Sequence, residues 1–134
     1  MTITGVADTH TALWHLFDDS RLFAVARAFI DQAAIAREKI AISSISLAEV
    51  VYLVEKSRLP PSSYDELVLA LADPERVFTE AVFTGAIVHS RRRVSRAEVP
   101  DMPDRMIAAT AVYFDVPVIN RDRRIRTASL NTIW

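Results

Sequence analysis

Four carboxylates occupy positions where a folded chain could gather them: Asp8, Glu49, Asp104 and Asp122. Asp8 closes a short apolar run at 3–7, and Asp122 follows the β-branched run at 116–119, so each stands just past a candidate strand. Glu49 and Asp104 fall in the opening turns of candidate helices, the first after Ser43, Ser44 and Ser46, the second after Asp101-Met102-Pro103. In a parallel sheet, strand ends and the helix starts that follow them share the carboxyl-end edge, the edge that lines the ligand crevice. Like charges collected there raise one another's pKa and oppose folding unless a cation compensates. The chain has no cysteine and three histidines, so such a cation would be held mainly by oxygen, which suits Mg²⁺ or Mn²⁺. A metal of this kind activates a water and neutralises charge developing on a phosphoryl group, so the chemistry indicated is phosphoryl transfer.

The arginines fit that chemistry. Net charge is −1, yet residues 1–90 carry 7 basic and 12 acidic groups while residues 91–134 carry 9 basic and 5 acidic. Fourteen of the 16 basic residues are arginine, whose planar fork binds phosphate bidentately and stacks on bases. Arg105 adjoins Asp104, and Arg121, Arg123 and Arg124 flank Asp122, where a nucleic-acid backbone would have to pass the acids. The competing reading is a GC-rich genome and a solvated face, and it applies equally to Arg91–Arg93.

The elements that position these residues follow from periodicity and caps. Strands are expected at 3–7, 40–42, 76–79, 116–119 and 132–134, and helices from 9, over 21–37, from Ser44 or Ser46, over 64–72, over 80–92 and from Asp101. Asp8 or Thr9 caps the first helix, and Asp101 caps the last. Alternation at this spacing predicts an α/β fold: a three-layer domain whose central, mostly parallel sheet of four to five short strands is flanked by helices. A 134-residue chain with 51% hydrophobic residues fits one domain, 1–134. Without cysteine there is no disulfide framework, no apolar segment approaches the ~20 residues of a membrane span, and no signal-peptide pattern is present. A cytoplasmic protein is expected.

Each residue also has a structural reading. Asp104 in a first turn is what a well-capped helix needs, and Glu49 fits a capping box with Ser46. His10 reads as a helix-start histidine, and Trp14, Phe17, Phe29, Phe78 and Phe83 as packing. Trp134 reads as the end of the last strand in the core, with an apolar partner surface as the alternative.

Taken in order, Ala7-Asp8-Thr9, Ser43-x-x-Ser46-Leu-Ala-Glu49, Asp101-x-Pro-Asp104-Arg105-x-Ile-Ala-Ala-Thr-Ala111, Pro117-Val-Ile-x-Arg-Asp122 and Ile133-Trp134 resemble PIN-domain proteins of the VapC toxin type across essentially the whole chain. The resemblance implies a metal-dependent endoribonuclease acting on RNA, frequently a homodimer, blocked by a small antitoxin. It makes Asp8, Glu49 and Asp104 the core acids and Asp122 the fourth, with Thr9 and Asp101 in support. Two departures stand out. Asp101-Met-Pro-Asp104-Arg105 has its proline moved one place, and Asn120 stands where the family often has threonine or serine, still able to hydrogen-bond a water or phosphate. Two other functions compete. A phosphatase with Asp8 as nucleophile would want a second aspartate where His10 stands, and a catalytically silent PIN-like module would bind RNA or protein without cutting.

Overall fold

The computed structural model describes residues 1–99, 101–121 and 130–134; the expected site residues Asp122, Arg123 and Arg124 lie outside these. Among the described residues the strands are β1 (Ile3–Ala7), β2 (Lys39–Ser43), β3 (Phe78–Ala81), β4 (Val118–Ile119) and β5 (Thr132–Ile133). They form one sheet in the order β3-β2-β1-β4-β5, every neighbouring pair parallel. The order reverses at β1, which pairs β2 on one side and β4 on the other, so the crevice expected of an open α/β sheet opens past the ends of β1 and β4.

The strands are apolar on both faces, as a sheet covered on both sides requires. Val6, Ala41, Ala81 and Val118 point into one core with residues of α5 (Gly85–Ser90) and α6 (Met102–Phe114), among them Ile87, Ile107 and Ala108. Their neighbours Ala7, Ile40, Ile42, Phe78 and Ile119 point into the other, against Ala12 of α1 (Thr9–Leu16) and Ala26, Ile30 and Ala33 of α2 (Ala24–Ile35). A third cluster, Leu13, Val50 and Leu67, joins α1 to α3 (Ser44–Glu55) and α4 (Ser62–Ala72). Gly5 on β1 is set by close packing: a Cβ there would stand 2.9 Å from Cε1 of Phe29.

Several boundaries differ from the sequence expectation: β4 is only Val118–Ile119, α4 starts two residues early at Ser62, and three further shifts have a visible local cause. β3 begins at Phe78 because the ammonium of Lys39 donates to the carbonyls of Pro74 (2.7 Å) and Arg76 (2.5 Å), holding the preceding residues as a loop. Glu80 is therefore a strand residue paired with Ile42, not the start of a helix; α5 begins at Gly85, capped by Thr84, and Arg91–Arg93 form a short 3₁₀ turn. α2 begins at Ala24, because Asp19 folds the chain ahead of it into a turn by accepting from the Arg21 backbone N–H (2.9 Å).

Candidate active site

Asp8 ends β1 and starts α1 at once. Its backbone N–H donates to the carbonyl of Ile119 on β4 (3.2 Å), and its Oδ1 accepts the Thr11 N–H (2.9 Å) as the helix N-cap. Thr11 adds a second tie to β4, its buried hydroxyl donating to the same Ile119 carbonyl (3.1 Å). The carboxyl is therefore fixed at the mouth of the β1/β4 crevice. Burial pushes its pKa above the usual carboxylate range, the Thr11 hydrogen bonds and His10 oppose that shift, and Glu49 adds a smaller upward push.

Glu49 is positioned by α1, not by a capping box. The N-cap of α3 is Ser43, whose Oγ accepts the Ile45 N–H (3.1 Å), and Ser46 is fully buried instead of capping. Thr9 Oγ1 lies 2.9 Å from Ser46 Oγ and 2.5 Å from Glu49 Oε1. One hydroxyl carries one proton, and the carboxylate oxygen can only accept, so Thr9 donates to Glu49 and Ser46 donates to Thr9. The Ser-x-x-Glu spacing that suits a capping box thus builds a relay Ser46→Thr9→Glu49, which holds the carboxylate in one orientation.

The last helix starts as expected. Asp101 is its N-cap, accepting the Asp104 N–H (3.1 Å), and Pro103 lies in the first turn. Asp104, half-buried in that turn, faces the same cleft as Asp8 and Glu49. The cleft has a volume of about 540 Å³, and Thr9, Asp101 and Ile107 also line it.

The remaining expected residues separate. Arg121, one residue past buried Asn120 at the end of β4, lines the cleft. Arg105 turns elsewhere: its guanidinium donates to the carbonyls of Val94 (3.1 Å) and Arg91 (3.5 Å) and lines a different cavity with His89, Arg91 and Arg92. Desolvation, then Arg91 and Arg96, lower its pKa. Asn120 is fully buried, its backbone N–H donating to the Ile133 carbonyl (3.1 Å). The cleft is also lined by His10, two residues past Asp8 and expected first as a helix-start histidine over a ligand or general base, by Trp14, expected as packing, and by Arg21, which the sequence pattern does not flag. The available signal is spacing, because His10 and Trp14 are four residues apart on α1 and share the helix face nearest Asp8.

The donor set is hard oxygen throughout. Among the described residues, no three His, Asp or Glu side chains stand close enough to enclose an ion alone. Mg²⁺ characteristically takes one or two carboxylates and fills its sphere with water and substrate phosphate, so an open cleft edged by Asp8, Glu49 and Asp104 fits it without a closed cage. The burial that disfavours ionised Asp8 is what a bound cation would offset.

Comparisons with known proteins bear on the family and the fold. The sequence profile of the PIN domain matches residues 6–130. Ribonuclease VapC22 of Mycobacterium tuberculosis is 27% identical over 128 residues, covering 92% of this chain and 91% of the relative. Among solved structures, that of VapBC2 from Rickettsia felis bound to a promoter DNA fragment superposes with a TM-score of 0.70 at 18% identity, over 97% of both chains. With a matching profile over nearly its full length and a five-stranded parallel sheet whose strand order reverses at β1, the chain belongs to the PIN domain family.

Proposed function

We propose that the chain is a divalent-metal-dependent endoribonuclease and the toxin of a toxin–antitoxin pair. The observation that carries this reading is the meeting of Asp8, Glu49 and Asp104 on one open cleft that Arg21 and Arg121 also line. Carboxylates alone would repel RNA; with Mg²⁺ or Mn²⁺ they become a site for a phosphodiester, and the guanidiniums supply the charge that draws in the backbone. Asp8, Glu49 and Asp104 would hold the metal, with Asp122 as the fourth acid. When bound, the metal supplies Lewis-acid stabilisation of charge developing on the phosphoryl oxygens. The chain's own residues do the positioning. The α1 N-terminus fixes Asp8, the Ser46→Thr9 relay fixes Glu49, and Asp101 fixes the turn that carries Asp104. Hydrolysis adds water across one P–O bond, leaving a phosphate on one fragment and a hydroxyl on the other.

The similarity to a ribonuclease supports the same reading; a small antitoxin, a homodimer and a cytoplasmic setting belong to the proposal through the family resemblance. No helix of the described residues is long and apolar enough to cross a membrane. The test is incubation of the purified chain with single-stranded and structured RNA in Mg²⁺, in Mn²⁺ and in EDTA. Internal cleavage that EDTA abolishes and added metal restores is expected. Cleavage that persists in EDTA overturns metal dependence, and no cleavage in either metal overturns the nuclease assignment.

A further inference from the structure

Besides the acids, the cleft is lined by an aromatic and cationic group. Trp14 stands there with Arg21 and Arg121, whose guanidinium carbons lie 5.3 and 5.9 Å from its ring centroid, and with the ring of His10 at 5.8 Å. Arg21 is held in place: Asp19 accepts from its Nε (3.1 Å) and Nη2 (2.7 Å), a bidentate pair that fixes the plane of the guanidinium. Arg121 also lies 5.2 Å from the ring of Phe23. Packing explains part of this group, since Trp134 meets Trp14 edge-on at 5.9 Å and supports Phe23 at 5.2 Å. It does not explain why two guanidiniums are stacked at the open mouth of a cleft otherwise lined by carboxylates.

Trp14, His10 and Arg21 are shared with a second cavity of about 320 Å³, which continues past them to Phe17, Arg58 and Leu59. The cleft therefore runs from the acids, over the Trp14–arginine group, into a hollow with its own arginine. Flat aromatic and guanidinium surfaces beside positive charge are how unpaired bases are held without sequence readout.

We propose that Trp14, Arg21 and Arg121 form a base-stacking subsite that takes the nucleobase next to the scissile phosphate of single-stranded RNA. This rests on the ribonuclease reading and deepens it: the acids would act on the phosphate while this group holds its neighbour. Trp14 is a binding residue in this account, and its loss affects KM far more than kcat.

The test separates the subsite from the chemistry. In a Trp134→Phe background Trp14 is the only tryptophan, and its fluorescence is followed during titration with a short single-stranded RNA, in EDTA and again in Mn²⁺. Saturable quenching is expected in both. Arg21→Gln and Arg121→Gln, changes at exposed side chains that leave folding intact, weaken binding of labelled RNA roughly 3- to 10-fold, and Trp14→Ala weakens it about 10- to 100-fold while Trp14→Phe stays near wild type. Quenching with these losses, but no RNA cleavage by the unmodified chain, leaves the subsite standing and removes the nuclease reading. Cleavage whose KM is unchanged by Trp14→Ala and by both arginine variants overturns the subsite alone. Unchanged RNA affinity with weakened binding of a protein partner overturns it equally.

Discussion

Thr9→Val tests whether the buried relay holds Glu49. Thr9 and Ser46 are 2% and 0% exposed, so valine fits the space but deletes the hydroxyl that bridges Ser46 Oγ and Glu49 Oε1. A hydrogen bond to a charged group contributes about 1.5–3 kcal/mol, but half-buried Glu49 recovers part of this by turning to water. Ser46 cannot, and an orphaned buried hydroxyl costs about 1–3 kcal/mol. The net expectation is a loss of about 2 kcal/mol, or a fall in melting temperature of roughly 6 °C for a domain of this size. Activity should fall further than stability explains, about 10- to 100-fold in kcat, because the carboxylate loses the group that orients it. Thr9→Ser restores both. Adding Ser46→Ala to Thr9→Val should cost less than the sum of the single changes, since the orphan is removed along with its partner. The assay is thermal melting beside RNA cleavage at saturating substrate. A Thr9→Val protein that melts within about 1 °C of wild type and cleaves at the same rate refutes the relay.

Other outcomes follow from single features. Gly5→Ala forces the Phe29 ring, 2.9 Å from the new methyl, to move, lowering stability by about 1–2 kcal/mol, measured by urea unfolding; an unchanged midpoint contradicts the packing described. Arg21 lowers the pKa of Asp19 to about 2 from 3.8, so the stabilisation is present above about pH 4 and lost as pH falls from there towards 2. The melting temperature of wild type should therefore exceed that of Asp19→Asn at pH 6 and converge with it near pH 2; a gap that persists at pH 2 contradicts the assignment. Asp8 has the opposite sign. Its folded pKa is raised, so ionisation costs stability as pH rises through and above 3.8, and in EDTA wild type should lose melting temperature relative to Asp8→Asn between pH 4 and 7.

Much of the site was legible because local rules act on it directly. Apolar runs at 3–7 and 116–119 bury both faces of a parallel sheet, and whatever follows them must emerge at its edge, which is why Asp8 stands at the crevice, which Asp104 also lines from a capped helix. Capping by Asp8 and Asp101 is local chemistry and was readable in the same way. What local rules could not supply was competition between distant groups. Ser-x-x-Glu at 46–49 satisfies a capping box, yet Thr9, 37 residues before Ser46, takes both side chains and Ser43 caps instead. Arg105 adjoins Asp104 in sequence, but carbonyls of the 3₁₀ turn and Val94 claim its guanidinium. Trp14 has core-like spacing on α1, and only the assembled cleft brings Arg21 and Arg121 onto its ring.

Under the proposed function Asp8 serves chemistry at a cost to the fold, and Asp8→Asn separates the two. Asparagine keeps the helix cap, accepting the Thr11 N–H through its side-chain oxygen, while removing the charge. Cleavage of one RNA by wild type and Asp8→Asn is measured in Mn²⁺, and both are melted in EDTA at pH 7. Activity is expected to fall by about a thousandfold or more, with a melting temperature equal to or above wild type. Undiminished cleavage by the variant, or a loss of activity that tracks a collapse in stability, contradicts it.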